Sequence, residues 1–69
     1  MTDSVYKLIE LVGVSEESWE KAAKAAVDRA SDSLRDLRIA EIERLDMQID
    51  DGKVVAFRAR VKVSFKYAG

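Results

Sequence analysis

From Val55 to Tyr67 the chain alternates strictly enough to dictate an element. Val55, Phe57, Ala59, Val61, Val63, Phe65 and Tyr67 fall on one side, while Arg58, Arg60, Lys62, Ser64 and Lys66 fall mostly on the other. A period of two marks a strand with one buried face. The run from Val54 is about twice the usual strand length of roughly 5–6 residues. A chain of 69 residues has little with which to cover it. A long uncovered strand is a site of sticking, so the pattern predicts that other copies of the chain cover it. Its second face is cationic and calls for anionic surroundings.

Size sharpens this expectation. The chain has room for one domain, spanning residues 1–69. At 7.7 kDa, apolar burial contributes on the order of 100 kcal/mol, and ordering the backbone and side chains costs about the same. A chain so balanced needs a staple. It has no Cys for a disulfide or thiolate site, and no His, the commonest zinc ligand and usual general base. Oligomerisation is the staple that remains. Twelve basic and thirteen acidic residues nearly cancel, which argues against nucleic acid as a partner. No uncharged run reaches the ~18 residues of a membrane span, and no signal peptide is evident, so a cytoplasmic location is expected.

The remaining segments complete a β-α-β-β order. Val5–Val12 reads as a first strand with apolar residues on both faces, stopped by Gly13. Trp19, Ala22, Ala23, Ala26, Val27, Ala30 and Leu34 then form one stripe of an amphipathic helix. Ser15 or Ser18 serves as N-cap, with Glu16, Glu17 and Glu20 at the positive end of the helix dipole. Glu17–Lys21, Glu20–Lys24 and Lys24–Asp28 are spaced for pairing on the wet side. The Ala-rich stripe lets the helix sit close to a sheet, with Trp19 packing into the core. Arg38–Ile49 is a second strand, and Asp50-Asp51-Gly52 a tight type I′ turn into the third. The fold class is α+β: a three-stranded antiparallel sheet wrapped on one amphipathic helix, with strand one beside strand three.

On the second strand, alternation places Ile39, Glu41, Glu43, Leu45 and Met47 on one face and Arg38, Ala40, Ile42 and Arg44 on the other. Ile39's face should then carry Arg58, Arg60 and Lys62 from the neighbouring strand. Two readings follow. One is an ion-pair lattice of Glu41 and Glu43 with those cations. The other is a cationic pocket, lined by Ile39, Glu41, Arg58 and Arg60, for an anionic ligand that Arg grips bidentately. Catalysis finds no support: without His, Cys, a phosphate-binding glycine loop or a nucleophile beside a base, no reaction constellation assembles. Ser15, Ser18, Ser31 and Ser33 read as caps and helix-end residues.

Several segments, in this order and in so short a chain, resemble the dodecin family. They are Val5-Tyr6-Lys7, Gly13-Val14-Ser15, Ser18-Trp19-Glu20, Ala26-Val27-Asp28-Arg29-Ala30, Leu34-Arg35-Asp36-Leu37-Arg38 and Val61-Lys62-Val63-Ser64-Phe65. The resemblance implies a hollow homododecamer built from trimers. It implies a binding and storage role rather than an enzymatic one, with riboflavin or FMN as small-molecule ligand between subunits. Some bacterial members also bind coenzyme A. Two positions depart from the flavin-binding pattern. A Trp that stacks on the flavin ring is matched here by Ile39, and a Gln that bonds the ring's polar edge by Arg58. A stacked aromatic contact contributes on the order of 1–3 kcal/mol in nucleic-acid analogues, so a weakened flavin affinity is expected. In lacking that Trp the chain resembles the subset described as calcium dodecins. Calcium takes six to eight oxygens. Asp46 and Asp50, four apart on a strand and joined by Asp51 near the turn, are the candidate donors, although turn chemistry alone accounts for acidic residues there.

Overall fold

The computed structural model describes residues 3–67. Four elements follow in order: β1 (Tyr6–Ser15), α1 (Trp19–Ser33), β2 (Leu37–Asp50) and β3 (Lys53–Lys66). The three strands form one antiparallel sheet in the order β1-β3-β2, with α1 across one side. The pattern-derived strand order is therefore the observed one.

Helix α1 starts where the sequence offers a cap. Ser18 is extended, and its hydroxyl accepts the Lys21 N–H at 3.0 Å. Ser15 serves the turn before it, its hydroxyl accepting the Glu17 N–H at 3.0 Å. Of the three spaced pairs, Glu17–Lys21 and Lys24–Asp28 form; Glu20–Lys24 does not. The β2–β3 connection is the expected tight turn, with positive φ at Asp51 (53°) and Gly52 (74°).

Gly13 does not stop the first strand. β1 runs through it to Ser15, with Gly13 opposite Ala59 of β3. The glycine marks a close approach instead. A Cβ on Gly13 would lie 1.8 Å from the Ala22 carbonyl oxygen and 3.2 Å from the Ala26 Cβ. The alanine stripe and Gly13 together bring the helix axis down onto the sheet. The buried core is correspondingly small-chained: Ala22, Ala26, Ala30, Ala56, Ala59, Val61 and Val63, with Ile9, Leu11, Ala23, Val27 and Leu37 packed around part of it.

The sheet does not wrap evenly around the helix. α1 lies over β1 and β3 and barely touches β2. The molecule is elongated, 55 × 20 × 15 Å, because the far part of the β2–β3 hairpin runs past the end of β1. It exposes 5547 Å², where a compact monomer of this mass is expected to expose about 4,300 Å². Tyr6, Leu8, Val12 and Val14 on the outer side of β1 are each about half exposed.

Candidate functional site

The sheet face turned away from α1 is built around the cationic side of β3. Arg58, Arg60 and Lys62 form its central column. Register places Val14, Val12 and Glu10 of β1 on one flank, and Asp46, Arg44 and Glu41 of β2 on the other. Simple alternation along β2 does not give this arrangement. Between Ile42 and Arg44 the strand carries one more residue than β3, which advances only from Val61 to Arg60. Such a bulge inverts the facing of everything beyond it. Leu45 and Met47, expected beside Ile39, turn instead to the helix side opposite Ala59 and Phe57; Arg44 moves to the outer face opposite Arg60. Glu43 is the extra residue. No hydrophobicity pattern marks it, because Ile-Glu-Arg-Leu reads equally well with or without a bulge.

Glu43 reaches Lys62, Oε1 to Nζ at 2.7 Å. Lys62 also has Glu10 and Glu41 directly across the ladder. The Lys62 hydrogen bond holds the Glu43 carboxyl below its ordinary pKa, with Arg60 adding a smaller effect in the same direction. The Lys62 ammonium is raised, chiefly by the same bond. The cross-sheet lattice expected of Glu41 and Glu43 therefore centres on Lys62 rather than on the arginines.

Asp46 and Arg58 form the second unit. The Arg58 guanidinium donates from Nε to Asp46 Oδ1 at 2.7 Å and from Nη2 to Oδ2 at 2.9 Å. This two-pronged bond lowers the Asp46 pKa and raises that of Arg58. The Asp46 backbone carbonyl accepts the Trp19 indole N–H at 2.9 Å, and the Trp19 ring meets Phe57 edge-on at 5.1 Å. Trp19 thus caps an edge-strand carbonyl as well as packing, a role its place on the apolar stripe did not reveal. Asp46 links the helix start, the edge strand and the outer face.

Ile39 stands near the start of β2, 68% exposed. An irregularity between Leu37 and Ile39 interrupts the ladder there. The Ser64 hydroxyl bridges the gap: it accepts the Ile39 N–H at 3.2 Å and lies 3.4 Å from the Ile39 carbonyl, to which it donates. Ile39 is consequently held out on the face as apolar area without an aromatic surface. Arg58 and Asp46 lie further along the same face, and Arg60 has no ion pair within 4.0 Å among the described residues.

The candidate calcium donors Asp46 and Asp50 stand in different settings. Both carboxylate oxygens of Asp46 are taken by Arg58. Asp50 sits at the turn opposite Lys53. Among the described residues no three carboxylates gather where one ion could bind.

The two carboxylates carry a pH prediction. Glu43 and Asp46 both have lowered pKa values in the fold. Their contribution to stability is fully present above the unfolded value, near 4, and is lost as pH falls through the lowered folded values. Melting temperature is therefore expected to drop on the acid side of pH ~4, and Glu43→Gln with Asp46→Asn to flatten that drop. Both pairs are at least partly exposed, so the effect is modest and shrinks with salt. An acid-side slope unchanged by the double substitution would contradict the assignment.

The β-α-β-β order, with three antiparallel strands in one sheet and a single helix across one side, defines the fold class. Comparison places the chain within it. The family model for dodecin matches residues 5–68, and the chain belongs to the dodecin family. It is 46% identical to a calcium dodecin from Mycobacterium tuberculosis, over 91% of this chain and 89% of that one. It is 39% identical to a dodecin from Thermus thermophilus, over 90% of each. The solved dodecin from Streptomyces coelicolor superposes with a TM-score of 0.92 at 33% identity, covering 100% of this chain and 99% of the other. A solved calcium dodecin from M. tuberculosis, described as calcium chelating with a novel calcium-binding site, superposes with a TM-score of 0.83 at 47% identity, over 94% and 93% of the two chains.

Proposed function

We propose that the chain is a non-enzymatic small-ligand binding and storage protein that works as a homododecamer of trimers and holds flavin only weakly. The observation that carries this reading is the Asp46–Arg58 fork. Where the resemblance calls for a neutral amide facing a flavin's polar edge, the chain carries a cation oriented by a two-pronged bond to Asp46, with two of its five donors spent there. Ile39 supplies area for a ring but no stacking surface. The surface in excess of a compact monomer supports self-association.

Calcium binding is the second reading, favoured by the similarity to calcium dodecin. Since one chain gathers no three carboxylates among its described residues, such a site would draw on more than one copy. Asp46 would join it only by giving up Arg58.

Thermal denaturation of the assembled protein separates the readings, because a ligand that binds the folded form raises its melting temperature. Under the weak-flavin reading, submicromolar FMN leaves the melting temperature unchanged and high FMN raises it. A rise with calcium that magnesium does not reproduce selects the second reading. A large rise at submicromolar FMN would overturn the weak-flavin reading.

A further inference from the structure

The Asp51-Gly52 pair carries reactive chemistry as well as a turn. Asp51 is the only Asp of the chain that precedes a Gly, and the chain has no Asn. Both residues of the pair are exposed. The Asp51 carboxylate has neither a hydrogen bond nor an ion pair among the described residues. The Gly52 N–H likewise donates to no carbonyl among them. Nothing lies within 4 Å of the place a Gly52 Cβ would take, so no atom shields the Gly52 nitrogen on that side. A side-chain carboxyl and the next backbone nitrogen, both without partners, are spaced to close a five-membered ring.

The surrounding chain permits that closure. β1 ends opposite Phe57, so the hairpin from Gln48 to Ala56 has no third strand beside it. The β2–β3 ladder is irregular between Gln48 and Ile49. Asp51 itself has a φ of 53°, which residues other than Gly seldom adopt. A hairpin end held so lightly opens locally at little cost. Opening gives the Asp51 carboxyl carbon the freedom to turn onto the Gly52 nitrogen.

We propose that Asp51 is a modification site, where uncatalysed ring closure onto Gly52, followed by hydrolysis, converts aspartate into isoaspartate. The Gly52 nitrogen bonds to Asp51 Cγ. One water leaves, made from the hydroxyl of the protonated carboxyl and the N–H proton. Water then opens the succinimide. Cleavage of the new Cγ–N bond restores aspartate. Cleavage of the bond from the Asp51 backbone carbonyl carbon to that nitrogen leaves the main chain running through Cγ. The product keeps its mass and charge but has one more CH2 in its backbone. A two-residue turn so lengthened no longer matches the Asp50–Lys53 pairing. This chemistry depends on no ligand.

The test ages the full chain in its assembled form at mildly acidic pH and then digests it with trypsin. The reporting peptide is Leu45–Lys53, because Arg44 and Lys53 are cleavage points. It is expected to split with time into two chromatographic peaks of equal mass. Electron-transfer fragmentation should place the extra backbone methylene at residue 51. Asp51→Glu is expected to lose the second peak, because its longer side chain would have to close a six-membered ring. The chain held unfolded in guanidinium chloride is the reference, and is expected to convert faster than the folded form. A single peak from the folded protein while the unfolded chain splits would mean that the turn shields Asp51, and would overturn the proposal. So would a second peak whose altered residue is Asp46 or Asp50, or one that persists in Asp51→Glu.

Discussion

Ile39→Trp combined with Arg58→Gln is expected to tighten riboflavin binding by about 10- to 1000-fold over the unaltered chain. Two contributions make up this estimate. An indole at position 39 would stand on the outer face, where Ile39 is already 68% exposed and its backbone is bracketed by the Ser64 hydroxyl. A stacked ring there contributes about 1–3 kcal/mol. A neutral amide at position 58 adds a hydrogen bond of about 0.5–1.5 kcal/mol. At ~1.4 kcal/mol per decade, the sum spans the range given. The second substitution also frees the Asp46 carboxylate, which repels FMN phosphate more than it does uncharged riboflavin. The gain should therefore be larger for riboflavin than for FMN. Ile39→Trp alone should recover most of the gain, because Arg58 stays tied to Asp46 and intrudes little. Quenching of riboflavin fluorescence measures both variants against the unaltered chain. No gain in the double variant would mean that the neighbouring geometry, rather than these two side chains, excludes the ring.

Gly13→Ala is expected to produce the largest stability loss of any single methyl addition considered for this chain. The added Cβ would lie 1.8 Å from the Ala22 carbonyl oxygen and 2.8 Å from its carbon, both backbone atoms that cannot rotate away. β1 and α1 must part to admit it, which also opens the contact with Ala26. Overpacking of this kind costs about 3 kcal/mol or more. At about 4–8 °C per kcal/mol for a domain of this size, the melting temperature should fall by roughly 10–25 °C at fixed protein concentration. Gly52→Ala provides the contrast: its φ of 74° makes an alanine strained, but nothing lies within 4 Å. Its cost should stay near 1 kcal/mol. A drop of less than about 3 °C for Gly13→Ala would contradict the passage of β1 beneath the helix.

These two positions show where sequence reading succeeds and where it stops. Element order, strand pairing, the Ser18 cap and the Asp51-Gly52 turn were all legible, because each rests on local chemistry or on a repeating pattern. Gly13 was misread because a glycine that ends a strand and one that admits a helix look alike in one dimension. The face assignment on β2 failed beyond Glu43 for a related reason. A bulge is set by the partner strand's register, and alternation within one strand carries no trace of it. Arg58 was legible as a departure from the flavin-binding pattern, but its engagement by Asp46 was not. Asp46 had drawn notice as a metal donor, and only the inverted facing beyond the bulge shows why it meets Arg58 instead. Trp19 was placed correctly on the apolar stripe, yet its indole bond to the Asp46 carbonyl depends on how far the helix start leans over the edge strand.

The dodecin fold is retained here, with Ile39 and an arginine paired to Asp46 at the two positions where the flavin-binding pattern calls for Trp and Gln. Titration of the unaltered protein into submicromolar riboflavin and FMN, followed by fluorescence, tests this most directly. Little quenching is expected until protein is in large excess, with no preference for FMN over riboflavin. Saturable quenching at submicromolar protein would contradict it, and would mean that the outer face grips a flavin through contacts other than stacking at position 39 and an amide at position 58.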